Sequence, residues 1–147
     1  MSDLPKAVQL QEVGPREGFQ FEERFIPTDD KLRLIDALSE TGLKVIEVTS
    51  FVSPKWVPQM ADAEEVAKRF KRKPGVRYTA VYLNQGGLER AKATEKLDIT
   101  GLLRIIVSDE FSRRNSNKSL EESIEEIPSW LNWYKENGVP VAEAGIL

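Results

Sequence analysis

Leu43-Lys44-Val45-Ile46-Glu47-Val48-Thr49-Ser50 decides the fold class, read with the Pro54- and Pro58-bearing segment behind it and then Ala63, Val66, Ala67 and Phe70. Leu43 to Thr49 is rich in β-branched residues, which suit a pleated strand. The two prolines make Ser50 to Gln59 a loop. The next apolar residues fall at i, i+3, i+4 and i+7, the spacing of one buried helix face. Strand, loop and helix form one unit, and the unit recurs on both sides.

Towards the N-terminus, Val8 to Val13 reads as a strand broken by Gly14-Pro15, with a polar loop to Pro27. Thr28 is the expected N-cap of a helix over Asp29 to Thr41, with Asp29 and Asp30 in the first turn, where the helix dipole favours acids. Leu32, Ile35 and Leu38 share its inner face, and Gly42 suits the position just past its end. Towards the C-terminus, Pro74-Gly75 ends the second helix and Val76 to Tyr82 reads as a strand. A weak helix over Gly87 to Thr94 turns Leu88 and Ala91 inward. Leu102 to Val107 is the clearest strand. Ser119-Leu120-Glu121-Glu122 is a capping box, followed by an apolar stripe of Leu120, Ile124, Ile127 and Leu131. Pro128 should kink or split that helix, Gly138 closes it, and Val139 to Leu147 begins a fifth strand.

The order βαβαβαβαβ implies parallel strands joined by crossovers. Two architectures fit: an open doubly wound sheet, or about half of a (β/α)8 barrel. No linker or low-complexity segment divides the chain, so 1–147 reads as a single α/β domain.

The net charge is -3, from 21 basic and 24 acidic residues. A nucleic-acid binder would carry a basic excess, and nucleic acid is not an expected partner. No segment is long and apolar enough to span a bilayer, and Met1 to Lys6 lacks a signal-like apolar run; a cytoplasmic location is expected. The chain has no Cys and no His. Metal chemistry here would use oxygen ligands, which favours Mg²⁺, Mn²⁺ or Ca²⁺ over zinc.

In either architecture, function gathers at the C-terminal ends of the strands. After the first strand, Gly14-Pro15-Arg16-Glu17-Gly18-Phe19-Gln20 sets an Arg and a Glu side by side. The Glu could ligate a hard cation and the Arg could stabilise an oxyanion; a salt-bridged surface turn fits as well. Glu47 lies in a run that should be buried, where a carboxylate is costly unless paired or ligating. An Arg partner inside the barrel would satisfy it. Ser50 to Met60 is apolar for a loop and suits either a pocket lining or a lid. Ser108 to Asn117 offers two arginines and two asparagines, a mixture that suits an anion or a solvated loop. Lys68 to Lys73 is a basic run at the opposite end of its helix, read as a solvated helix end.

Three stretches together resemble the 3-hydroxy-3-methylglutaryl-CoA lyase family: Val13 to Gln20, Leu38 to Gly42 with Val45 to Met60, and Phe111 to Asn117 with Ser119 to Ser123. The resemblance implies the N-terminal half of a (β/α)8 barrel, stopping in strand five. It implies cleavage of a branched 3-hydroxyacyl-CoA thioester to acetyl-CoA and a 3-oxo acid such as acetoacetate, assisted by Mg²⁺ or Mn²⁺. Arg16 would stabilise the enolate and Glu17 would bind the metal at a position where many members have Asp. Gln20 and Glu47 would stand beside the reacting centre, with Ser50 and Ser53 at the acyl group. Ser108, Glu110, Arg114, Asn115 and Asn117 would lie on the CoA side. The family's remaining ligands, a His-x-His pair, and its catalytic Cys have no counterpart here, so the chain alone is expected to be inactive. Its expected partners are the thioester and either a further copy of itself or a C-terminal half. The alternatives are another acyl-CoA lyase or synthase of the superfamily, and a non-catalytic half-barrel that binds CoA esters or a partner subunit.

Overall fold

The computed structural model describes residues 4–147, with the backbone but not the side chain of Asn115. Contacts group the chain into two compact units, Met1–Asp98 and Ile99–Leu147. Among the described residues the strands pair in two parallel sheets: β1 (Gln11–Glu12), β2 (Val45–Ser50) and β3 (Arg77–Val81) in that order, and β4 (Gly101–Ile105) with β5 (Val141–Ile146). No helix among them is long and apolar enough to cross a membrane.

The first unit carries α1 (Gly14–Gln20), α2 (Thr28–Ser39), a single 3-10 turn at Pro58–Met60, α3 (Ala63–Arg69) and α4 (Gln85–Lys92). Every residue of β2 is buried. Ile46 and Val48 of β2 and Tyr78 of β3 pack against Leu32 and Ile35 of α2 and Val66 of α3, with Phe70 just beyond. This is the apolar stripe that the helix spacing predicted. Leu88 and Ala91 face inward as expected.

Several boundaries differ from the sequence reading. The first strand is two residues long, not six, and Val8 and Leu10 are exposed. The expected polar loop after it begins as α1, because Pro15 in the first turn is preset for helical φ. Thr28 does not cap α2; Pro27 holds the cap position, and the Thr28 hydroxyl donates to Asp62 Oδ2 at 2.7 Å. The second helix ends at Phe70, where the backbone turns extended, before Pro74-Gly75. The basic run is less free than expected. Arg69 pairs with Asp29 and Glu65, Arg72 with Asp98, and Lys73 with Glu40, which ties α3 to its neighbours.

A buried ion pair organises the start of α2. Lys31 is 2% exposed. Its Nζ donates to Asp62 Oδ1 at 2.7 Å and to the Gln59 carbonyl, and it lies 4.4 Å from the Phe25 ring centroid. Gln59 Nε2 donates to the Glu22 carbonyl at 2.6 Å. One ammonium thus joins the segment after α1, the first turn of α2 and the turn that leads into α3.

The second unit contains α5 (Asp109–Ser116), α6 (Leu120–Glu125) and α7 (Ile127–Glu136). Ser108 to Asn117, expected to be a loop, is mostly helix. Ser108 caps it, and Asn117 ends it in the left-handed conformation, φ +56°. Pro128 does split the following helix, leaving α6 and α7. The expected apolar stripe is not buried within this unit: Ile124 is 47% exposed and Leu131 42%. The buried side chain of α7 is Tyr134. Its ring sits against Gly101, where a Cβ would come within 3.0 Å, and its hydroxyl donates to the Leu102 carbonyl at 3.0 Å. Gly138, with φ +63°, makes the turn into β5.

Removing Lys31 as Lys31→Met strands the Asp62 carboxylate out of water, and should cost about 3 kcal/mol in urea unfolding. The double variant with Asp62→Leu should recover most of that loss. The capping box at Ser119 is formed: Glu122 accepts the Ser119 N–H at 2.7 Å and returns its own N–H to the hydroxyl. The Ser119 backbone N–H first, and the Ser119 side chain second, hold the Glu122 carboxyl below its usual 4.5. A depressed carboxylate stabilises the fold above its unfolded value, and the gain is lost as pH falls through the folded value. Hydrogen-exchange protection of the Ser119 amide should therefore hold at neutral pH and drop as pH falls below 4.5. Glu122→Gln should abolish that pH dependence.

Candidate active site

The site starts from a buried acid. Glu47 sits mid-strand in β2 at 8% exposure. An uncompensated carboxylate there would be costly. Compensation comes from 31 residues upstream: Arg16 Nε donates to Glu47 Oε1 at 2.6 Å. The ion pair weighed from the sequence is therefore formed, and it lies where β1 gives way to α1.

Arg16 is aimed by the local chain. Its amide and that of Glu17 both bond the Val13 carbonyl, at 3.0 and 2.7 Å, which closes the first turn of α1 directly on β1. Gly14 leaves room at the bend for the Glu12 side chain. Its N–H donates to Glu12 Oε1 at 2.6 Å, and a Cβ at Gly14 would meet that oxygen at 2.8 Å. Glu17 follows Arg16 and pairs with its Nη1, while its side chain stays 45% exposed. Gln20 lies four residues beyond Arg16, on the same face of α1. One guanidinium thus stands between two carboxylates, with Nε and Nη1 engaged and, among the described residues, the Nη2 donors left for a ligand.

A bulge in β2 decides which residues accompany Glu47. The register runs from Glu47↔Thr79 to Thr49↔Ala80, so Val48 is an extra residue, and Ser50 pairs with Val81. Thr79 and Val81 are two apart on β3 and share a face. Their partners Glu47 and Ser50 share it too, although strict alternation would have opposed them. Ser53 stands apart. It is exposed, and its carbonyl accepts the amides of Trp56 and Val57 in a tight turn. The loop it belongs to is pinned by buried Phe51 and Met60, and its tip exposes Trp56 at 87%.

The remaining expected residues lie in the second unit. Glu110 and Arg114 pair with each other at 2.8 Å on the exposed face of α5. Ser108 and Asn117 serve as the two ends of that helix. The side chain of Asn115 lies outside the described residues. The sequence reading missed Glu12, Lys31, Gln59 and Asp62. Lys31 had a signal: it precedes Ile35 by four and Leu38 by seven, an apolar-stripe position held by a charge.

The expected divalent cation does not fit these residues alone. A hard cation takes about six oxygen ligands. Among the described residues no group of three or more His, Cys, Asp or Glu could hold a metal ion. The two acids at the site are both engaged by Arg16.

Comparison with known proteins gives a consistent picture. Mouse mitochondrial hydroxymethylglutaryl-CoA lyase is 50% identical over 127 residues, covering 85% of this chain and 38% of that protein. The zebrafish cytoplasmic 3-hydroxy-3-methylglutaryl-CoA lyase is 46% identical over 143 residues, covering 95% and 42%. The HMG-CoA lyase structure from Bacillus subtilis superposes with a TM-score of 0.84 at 40% identity, covering 97% of this chain and 47% of that one. An Acinetobacter baumannii HMG-CoA lyase, solved with coenzyme A and 3-methylmalate, gives 0.81 at 28% identity, covering 99% and 47%. This chain therefore spans less than half the length of these relatives, and matches about half of a (β/α)8 lyase barrel. The HMGL-like family model matches residues 7–142, and the chain belongs to that family.

Proposed function

We propose that Arg16, Glu17 and Glu47 form the oxyanion-holding part of a 3-hydroxy-3-methylglutaryl-CoA lyase-type site. The substrate class is a branched 3-hydroxyacyl-CoA thioester. The bond that breaks joins the hydroxyl-bearing carbon to the carbon beside the thioester carbonyl. The hydroxyl loses its proton and becomes a carbonyl, giving acetoacetate or another 3-oxo acid. The electron pair passes to the thioester side as the enolate of acetyl-CoA, which then takes a proton on carbon. Charge develops on the thioester oxygen, and a fixed cation there lowers the barrier.

The observation that carries this reading is the double restraint on Arg16, by Glu47 at Nε and by Glu17 at Nη1. A guanidinium so held needs little reorganisation to meet an oxyanion through Nη2. The names of the relatives, and the coenzyme A in one related structure, support the substrate class. Ser50 shares the Glu47 face and would stand near the acyl group. Mg²⁺ or Mn²⁺ binding would need ligands beyond those described here, and the chemistry above is derived without it.

The absence of His and Cys from the chain favours a second reading for these residues on their own. In it the chain binds CoA esters or a partner subunit without turning substrate over.

Purified chain given 3-hydroxy-3-methylglutaryl-CoA with Mg²⁺ or Mn²⁺ should release no acetyl-CoA above background. Release would show that these residues suffice for catalysis. Acetyl-CoA should bind saturably, and Arg16→Met should weaken that binding about tenfold or more. Equal binding by the variant would mean that Arg16 does not contact the bound thioester. Titrating Mn²⁺ by electron paramagnetic resonance should reveal no site tighter than about 1 mM. A tighter site would mean that Glu17 leaves Arg16 for the metal.

A further inference from the structure

The Thr79 hydroxyl is buried and has no hydrogen-bond partner. A buried hydroxyl without a partner is costly, and valine fills the same volume without that cost. Thr79 is also not placed at random. It pairs in register with Glu47 across the β2–β3 ladder, so the two side chains are adjacent on one face of the sheet. Of the Glu47 carboxylate, Oε1 is taken by Arg16 Nε, and the described contacts leave Oε2 free. An orphan donor thus neighbours a half-used acceptor.

We propose that Thr79 is a positioning residue of this site, donating its hydroxyl to Glu47 Oε2 after rotation into another staggered well. Branching at Cβ narrows the choice, and the hydroxyl changes place only by exchanging with the methyl or the hydrogen among staggered wells. A carboxylate held by Arg16 alone follows the guanidinium when it turns towards a ligand. Held also by Thr79, Glu47 keeps its orientation and Arg16 keeps its aim. The bulge at Val48 supports this arrangement, because it breaks the register just after the Glu47–Thr79 pair and leaves that pair as the last of its run. The role of the pair rests on the oxyanion reading of Arg16.

The experiment compares the chain with Thr79→Val and Thr79→Ser, free of ligand. The readouts are the Arg16 Nε–Hε signal in a ¹⁵N–¹H spectrum and the urea midpoint. Thr79→Val should shift that signal and speed its exchange with water about threefold or more, and should lower the midpoint; Thr79→Ser should restore all three. An unchanged Arg16 signal, or a raised midpoint in Thr79→Val, would overturn the proposal, because an idle hydroxyl is better replaced by a methyl. No substrate is present, so this result is independent of whether acetyl-CoA binds at Arg16.

Discussion

A single carboxylate in the middle of a fully buried strand sets the terms for the first unit. A carboxylate at the depth of Glu47 is costly without a partner, and no residue of β2 offers a cation. The cation comes from Arg16, and it reaches Glu47 only because α1 begins immediately after β1. Gly14 makes that abrupt change of direction compatible with the Glu12 carboxylate folded against its amide. Pro15 starts the helix without needing an N–H partner. The short first strand, the bend and the helix therefore all place one guanidinium.

Two further devices keep this geometry in register. The bulge at Val48 lets Ile46 and Val48 remain in the core with Tyr78, while Glu47 and Ser50 share the opposite face. The Lys31–Asp62 pair does for the helices what Arg16–Glu47 does for the strands. It joins the segment after α1 to α2 and to the turn before α3, with both charges withdrawn from water. Such pairs add little net stability over apolar packing, but they penalise arrangements in which the partners do not meet. Both pairs bridge about thirty residues of sequence. They act as checks on tertiary placement where the local elements are short.

The second unit is organised by an aromatic side chain and not by charge. Tyr134 packs on Gly101 and bonds the Leu102 backbone, so α7 is fixed to β4 at its first residues. Trp130 and Trp133 flank it at 5.4 and 6.0 Å between ring centroids. The charged residues of α5 pair along their own helix: Asp109 with Arg113, and Glu110 with Arg114. Asp109 also accepts the Leu120 amide and so starts α6. The polar richness of this stretch, which in the sequence fitted either an anion site or a solvated loop, is in large part spent on helix ends.

The sequence by itself determined what is periodic or locally bonded. Strand and helix alternation, the buried faces of α2 and α3, the capping box at Ser119 and the break at Pro128 are set by neighbours within about four residues. The motifs around Arg16 and Glu47 also pointed to the family before any coordinates. The tertiary structure alone decided which charges meet. That Arg16 serves Glu47, that Lys31 is drawn inside to Asp62, and that Ser50 joins the Glu47 face depends on contacts or register shifts with no local periodicity. Leu120, Ile124, Ile127 and Leu131 show the limit from the other side: their spacing marks an apolar face, but whether a face is covered depends on what packs against it.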